Sequence, residues 1–126
     1  MTRRLIVFAV FAAALITTGA RPGHAKEVVE ILLRGHYFVE PATVQITVAV
    51  EPDAQNRALR IEADGERLFR ASQLSLEGAS EKRMHAVEFK NLPAGNYVLR
   101  AEVLDTSDDV RGMVEQELVV SGSGQR

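Results

Sequence analysis

The sequence predicts an all-β protein, one sandwich of seven short antiparallel strands standing behind an N-terminal export signal. Three observations carry that prediction. From Lys26 onward, β-branched and other apolar residues alternate with polar ones at a period of two. The alternating stretches are short, and Gly, Pro, Asn and Asp separate them at the spacing of turns. About a hundred residues remain once the first 25 are set aside, which is room for a single core.

The first 25 residues change character in the order a secretory signal requires. Charge at Arg3 and Arg4 precedes an apolar run from Leu5 to Ile16, and a small, polar stretch from Thr17 to Ala25 follows. The run holds 12 residues, short of the roughly 20 that cross a bilayer as a helix. Gly19, Pro22 and Gly23 then break it. Signal peptidase needs small side chains one and three positions before its cut, which fits Ala25 with Gly23, or else Ala20 with Thr18. Cleavage after Ala25 is expected, leaving no stable membrane anchor and placing the product in the periplasm or outside the cell. A cysteine-linked lipid is excluded because the chain has no Cys. That absence also excludes disulfides, thiol catalysis and cysteine-bound metals.

The segment removed contains Arg3, Arg4 and Arg21 and no acidic residue, so the remainder carries 12 basic and 17 acidic residues, a formal charge of −5. An acidic surface disfavours nucleic acid and anionic lipid as partners, since both select clustered Lys and Arg.

Taken in order, the strands are expected at Glu27 to Arg34, Thr43 to Val50, Leu59 to Ala63, Arg67 to Ala71, around Val87 to Lys90, Tyr97 to Leu104, and Met113 to Val120. Between Thr43 and Val50, Val44, Ile46, Val48 and Val50 fall on one, apolar face, with Thr43, Gln45, Thr47 and Ala49 on the other, mostly polar one. Asp64-Gly65 lies between the third and fourth strands, and such a pair supplies the φ > 0 positions of a tight hairpin turn. A helix over Glu66 to Leu76 is the competing reading, because Glu, Arg, Leu, Ala and Gln are good helix formers. The domain is expected to span residues 26–120, followed by a disordered tail, residues 121–126, which holds no apolar side chain.

Leu92-Pro93-Ala94-Gly95-Asn96-Tyr97 joins the two strongest late strands. It resembles the tyrosine corner of fibronectin type III and related immunoglobulin-like domains, with Leu92, Gly95 and Tyr97 in the structural roles. The resemblance implies an immunoglobulin-like sandwich in which the Tyr97 ring packs on the core and its hydroxyl bonds a backbone group upstream. The chain departs from the family in having no Trp in the second core strand and no inter-sheet cysteines.

No catalytic constellation is visible. Gly78-Ala79-Ser80-Glu81-Lys82 lacks the second glycine of a nucleophile elbow, and a sandwich of this size offers little depth for a pocket. The domain is therefore expected not to be an enzyme and to need no cofactor. Its expected role is contact with an envelope or extracellular protein. The alternative is a small periplasmic carrier of metal or ligand, using His36, His85 or acidic loop residues.

Asp105, Ser107 and Asp109 match the first positions of an EF-hand loop, but Val110 stands where that loop needs Gly and Gln116 where it needs Glu, so a linear calcium motif is rejected. In an immunoglobulin-like sandwich, however, the loop after the second strand and the loop before the last emerge at the same end. Glu51, Asp53, Asp105, Asp108 and Asp109 would then form one acidic tip, fit for a basic partner or a loosely held cation. Two further features are open to a functional reading. Gly35 to Pro41 is dense in aromatics, with Phe38 expected to close the core and Tyr37 to sit on its rim. The apolar first strand, Val28 to Leu33, is of a kind that protomers exchange or donate.

Overall fold

The computed structural model describes residues 28–35 and 37–123. The expected export signal, Glu27 at the start of the first strand, His36 and the last three residues of the tail lie outside the described residues.

The described residues form eight strands: β1 (Val29–Leu33), β2 (Phe38–Val39), β3 (Ala42–Val50), β4 (Ala58–Gly65), β5 (Phe69–Ser75), β6 (Met84–Leu92), β7 (Gly95–Leu104) and β8 (Val110–Ser121). A 3-10 turn at Gly78–Ser80 links β5 to β6. The strands form a three-stranded sheet in the order β1-β3-β6 and a five-stranded sheet in the order β2-β8-β7-β4-β5. The alternation of β3 has the consequence the sequence predicts. Val44, Ile46 and Val48 are fully buried, and Thr43 and Gln45 face outward. They meet Leu59, Ile61 and Ala63 of β4 and Leu99, Ala101 and Val103 of β7, all at 0% exposure, while Phe89 and Leu92 of β6 seal one side. Each large aliphatic buried this way contributes about 1.5–3 kcal/mol of transfer free energy.

The expected count of seven strands and the wholly antiparallel arrangement are corrected by β2. Its two residues pair in parallel with Val120 and Ser121 of β8, whereas every other pairing is antiparallel. Two residues are too short to show a period, and Pro41 interrupts the backbone donors before β3 begins. The same pairing carries β8 through Ser121, one residue into the expected tail, and Ser123 is also tied down by Glu40. Glu66 to Leu76 is resolved in favour of the strand: β5 runs antiparallel to β4 from Ala58 opposite Ser75 to Asp64 opposite Phe69.

The Asp64-Gly65 turn is corrected as well. Gly65 is the last residue of β4, paired with Tyr97 of β7 and lacking a positive φ, and the hairpin closes through Gly65 N–H donating to the Leu68 carbonyl at 2.9 Å. Glycine stands there for a different reason. A Cβ would lie 2.6 Å from Cδ2 and Cε2 of the Tyr97 ring.

Candidate functional site

The loops that carry the acidic residues leave the sandwich at the same end. Residues 51–57 join β3 to β4, residues 105–109 join β7 to β8, and Arg57 N–H donates to the Leu104 carbonyl at 2.8 Å. Asn56, 1% exposed, is the buried tie between them. Its Nδ2 donates to the Glu51 carbonyl at 2.9 Å, and its Oδ1 accepts from Arg111 at the start of β8. Arg111 also pairs with Asp53 at 3.6 Å. A buried amide with both ends satisfied is costly to disturb, so the two loops are held as one body.

The five acidic residues are not equivalent. Glu51 pairs with Arg83 at 3.0 Å, and Asp53 accepts from Gln55 N–H at 2.9 Å in addition to its Arg111 contact. Asp105 folds its own loop, with Oδ1 accepting from the backbone of Ser107 at 2.8 Å and of Asp109 at 3.0 Å. Asp108 sits at φ 65°, a left-handed position that Asp tolerates better than most residues. Asp108 and Asp109 are exposed at the tip, and no ion pair engages either side chain among the described residues. Sequence reasoning missed Asn56, Arg83 and Arg111, the residues that order this end. Their signal was only a single Asn beside a turn and two arginines distant in the chain.

His85 lies on β6 opposite Val48, faces inward at 6% exposure, and its Nε2 has no hydrogen-bond partner. Among the described residues, no group of three or more His, Asp or Glu side chains comes together in a way that holds a metal ion.

At the opposite end, Leu92 is fully buried, Gly95 has φ 153°, and Tyr97 is 4% exposed with its hydroxyl donating to the Pro93 carbonyl at 2.7 Å. Burial pushes the Tyr97 hydroxyl pKa up. Glu40 braces this corner. Its Oε1 accepts from Ala94 N–H at 2.9 Å and its Oε2 from Ser123 N–H at 3.2 Å. Those two backbone donors, aided by Arg67 and opposed by desolvation, hold the Glu40 carboxyl below the usual carboxylate range. Nearby, Phe38 is partly buried against the core, whereas Tyr37 is 92% exposed. β1 packs into its own domain, pairing with β3 and burying Val29 and Ile31.

The chain is similar in fold to superoxide reductase. Two variants of the superoxide reductase (neelaredoxin) of Ignicoccus hospitalis superpose with a TM-score of 0.59 and 17% identity, covering 78% and 77% of this chain and 83% and 82% of theirs. The CARDB domain of a Pyrococcus furiosus protein gives a TM-score of 0.47 at 17% identity, over 75% of this chain and 91% of that one. The sequence matches no protein-family model and no curated protein. At this identity the likeness to superoxide reductase concerns the fold. It nevertheless overturns the expectation that the domain is not an enzyme, which rested on the lack of a visible catalytic constellation and on a sandwich of this size being too shallow for a pocket. The same architecture carries a reductase.

Proposed function

We propose that the chain is an exported, immunoglobulin-like module that engages a basic partner protein of the cell envelope or exterior through the end formed by the β3–β4 and β7–β8 loops. The observation that carries this reading is the tie made by buried Asn56 and Arg111, which pre-orders two loops bearing Asp53, Asp105, Asp108 and Asp109. A pre-ordered polar surface loses less entropy on binding than a loose one and selects partners by charge. The immunoglobulin-like assignment is supported by the sheet order β1-β3-β6 facing β8-β7-β4-β5, and by the Tyr97 hydroxyl bonding Pro93 four residues upstream. Export is supported by the charged, apolar and small-residue regions that follow one another up to Ala25.

The test places a photo-crosslinking residue at Ser107 in the full chain, expressed in a bacterial host with an envelope. The expected result is a shortened product in the envelope fraction, cross-linked to a defined basic protein. Asp108→Asn with Asp109→Asn should remove that cross-link without altering the melting temperature. Retention of the full-length chain in the cytoplasm refutes the export part, and a cross-link indifferent to both substitutions refutes the acidic-tip part.

A further inference from the structure

We infer that β5 is the self-association edge of this protein, pairing antiparallel with β5 of a second copy about a two-fold axis at Ser72 and extending the five-stranded sheet across both copies. Among the described residues, β5 is paired with a strand on one side only, with β4, and no strand pairs with its other edge. Exposed edges are usually guarded by charge, proline, bulges or brevity. The other three sheet edges have such guards. β1 carries Glu30, β6 carries Glu88 and Lys90, and β2 is two residues long, leaving most of the outer side of β8 to Glu115, Glu117 and Arg111. β5, Phe69-Arg70-Ala71-Ser72-Gln73-Leu74-Ser75, contains no acidic residue and no proline, and its pairing with β4 runs without a bulge. Its single charge is directed elsewhere, since Arg70 Nη1 crosses to the other sheet and donates to the Lys90 carbonyl at 2.8 Å.

The occupant follows from charge. The chain is net acidic, so two copies repel wherever glutamates line an edge, and β5 is the edge without them. Pairing about Ser72 sets Phe69 opposite Ser75, Arg70 opposite Leu74 and Ala71 opposite Gln73, so no like charges face each other. Phe69, 55% exposed, gains cover from the partner strand. Because Ser75 opposes Ala58, which itself pairs with Leu104, the Ser75 end of β5 lies toward the acidic loops. A two-fold pair therefore carries its two acidic tips at opposite ends.

The experiment measures the mass of the full chain without residues 1–25 by sedimentation equilibrium from micromolar to millimolar concentration. The wild type is expected to dimerise. Ala71→Lys with Gln73→Lys puts lysines face to face twice, on exposed positions outside the core, and should weaken the dimer roughly tenfold. Ala71→Lys with Gln73→Glu puts Lys opposite Glu in the same register and should restore it. Circular dichroism confirms that each variant is folded. A wild type that stays monomeric throughout overturns the inference and leaves the edge to a foreign strand. A dimer indifferent to the paired lysines places the interface elsewhere, and failure of the Lys/Glu variant to recover overturns the register.

Discussion

Replacing Gly65 by alanine tests the link between the third and fourth expected strands and the tyrosine corner. Alanine normally gains about 0.5–1 kcal/mol over glycine in a strand because it loses less backbone entropy. Here the added Cβ would sit 2.6 Å from two carbons of the Tyr97 ring and 3.2 Å from the Leu68 carbonyl. The ring is 4% exposed and its hydroxyl is anchored 2.7 Å from the Pro93 carbonyl, so it has little room to move aside. Overpacking of this kind costs about 1–3 kcal/mol, and pulling the hydroxyl off its acceptor adds about 0.5–1.5 kcal/mol. The net expectation is a loss of about 1–3 kcal/mol, seen as a fall in melting temperature of roughly 5–20 °C for a domain of this size. The measurement is urea or thermal unfolding followed by circular dichroism. In a Tyr97→Phe background the ring is released from its anchor, so the same Gly65→Ala change should cost less, and the double-mutant cycle should give a coupling of at least about 0.5 kcal/mol. A Gly65→Ala protein as stable as the wild type, or an additive cycle, would show that the ring does not depend on the missing side chain.

Three further outcomes are expected. Asn56→Ala leaves the Glu51 carbonyl and Arg111 without their buried partner; urea unfolding should show a loss of about 2–3 kcal/mol, with faster hydrogen exchange confined to residues 51–57 and 105–111. His85→Leu removes an inward-facing Nε2 that has no partner. Such an atom costs about 1–3 kcal/mol to bury, so the variant should match or exceed the wild type in urea, and a clear loss would mean that Nε2 is bonded in solution. Glu40 has its folded pKa held below its unfolded one, so its contribution is present above the ordinary carboxylate range and fades as pH falls through that range toward the folded value. Glu40→Gln should therefore destabilise the protein near neutral pH and converge with the wild type in acid, as read from melting temperatures across a pH series; a constant gap between the two curves would contradict this account.

The sandwich was legible wherever a strand is long and buried on one face. Val44 to Val50 and Tyr97 to Val103 show their core residues through period two, because Gln45, Thr47, Val98, Arg100 and Glu102 between them are exposed or half-exposed; Ala49, expected on the outer face, is buried instead. β2 was illegible because Phe38 and Val39 owe their strand to Val120 and Ser121, more than eighty residues away. Asp64-Gly65 misled for a related reason. The local rule for Asp-Gly concerns turn dihedrals, whereas Gly65 answers to a ring on β7. At the loop end, the acidic residues were visible in the sequence but not their partners, since Arg83 reaches Glu51 only once β6 pairs with β3, and Arg111 reaches Asp53 only once the β3–β4 loop lies against the start of β8.

The broad outer face of the larger sheet bears on the contacts proposed for the loop end and the β5 edge. Arg60 of β4 pairs with Glu62 at 3.4 Å and with Glu102 of β7, and Arg100 of β7 bridges Glu62 and Glu115 of β8 at 2.8 Å each. Glu62 and Glu102 are only 16% and 15% exposed, so these five charges are already interlocked across three strands. A one-residue slip of β7 against β4 would drive Arg100 and Glu102 into the core in place of Leu99 and Ala101, so the network penalises wrong registers as well as stabilising the right one. A partner docking flat on that face would have to desolvate charges whose hydrogen bonds are already made, at a cost that new contacts rarely recover. The β5 edge instead offers backbone groups that no strand among the described residues pairs, and the acidic tip offers Asp108 and Asp109, which are exposed.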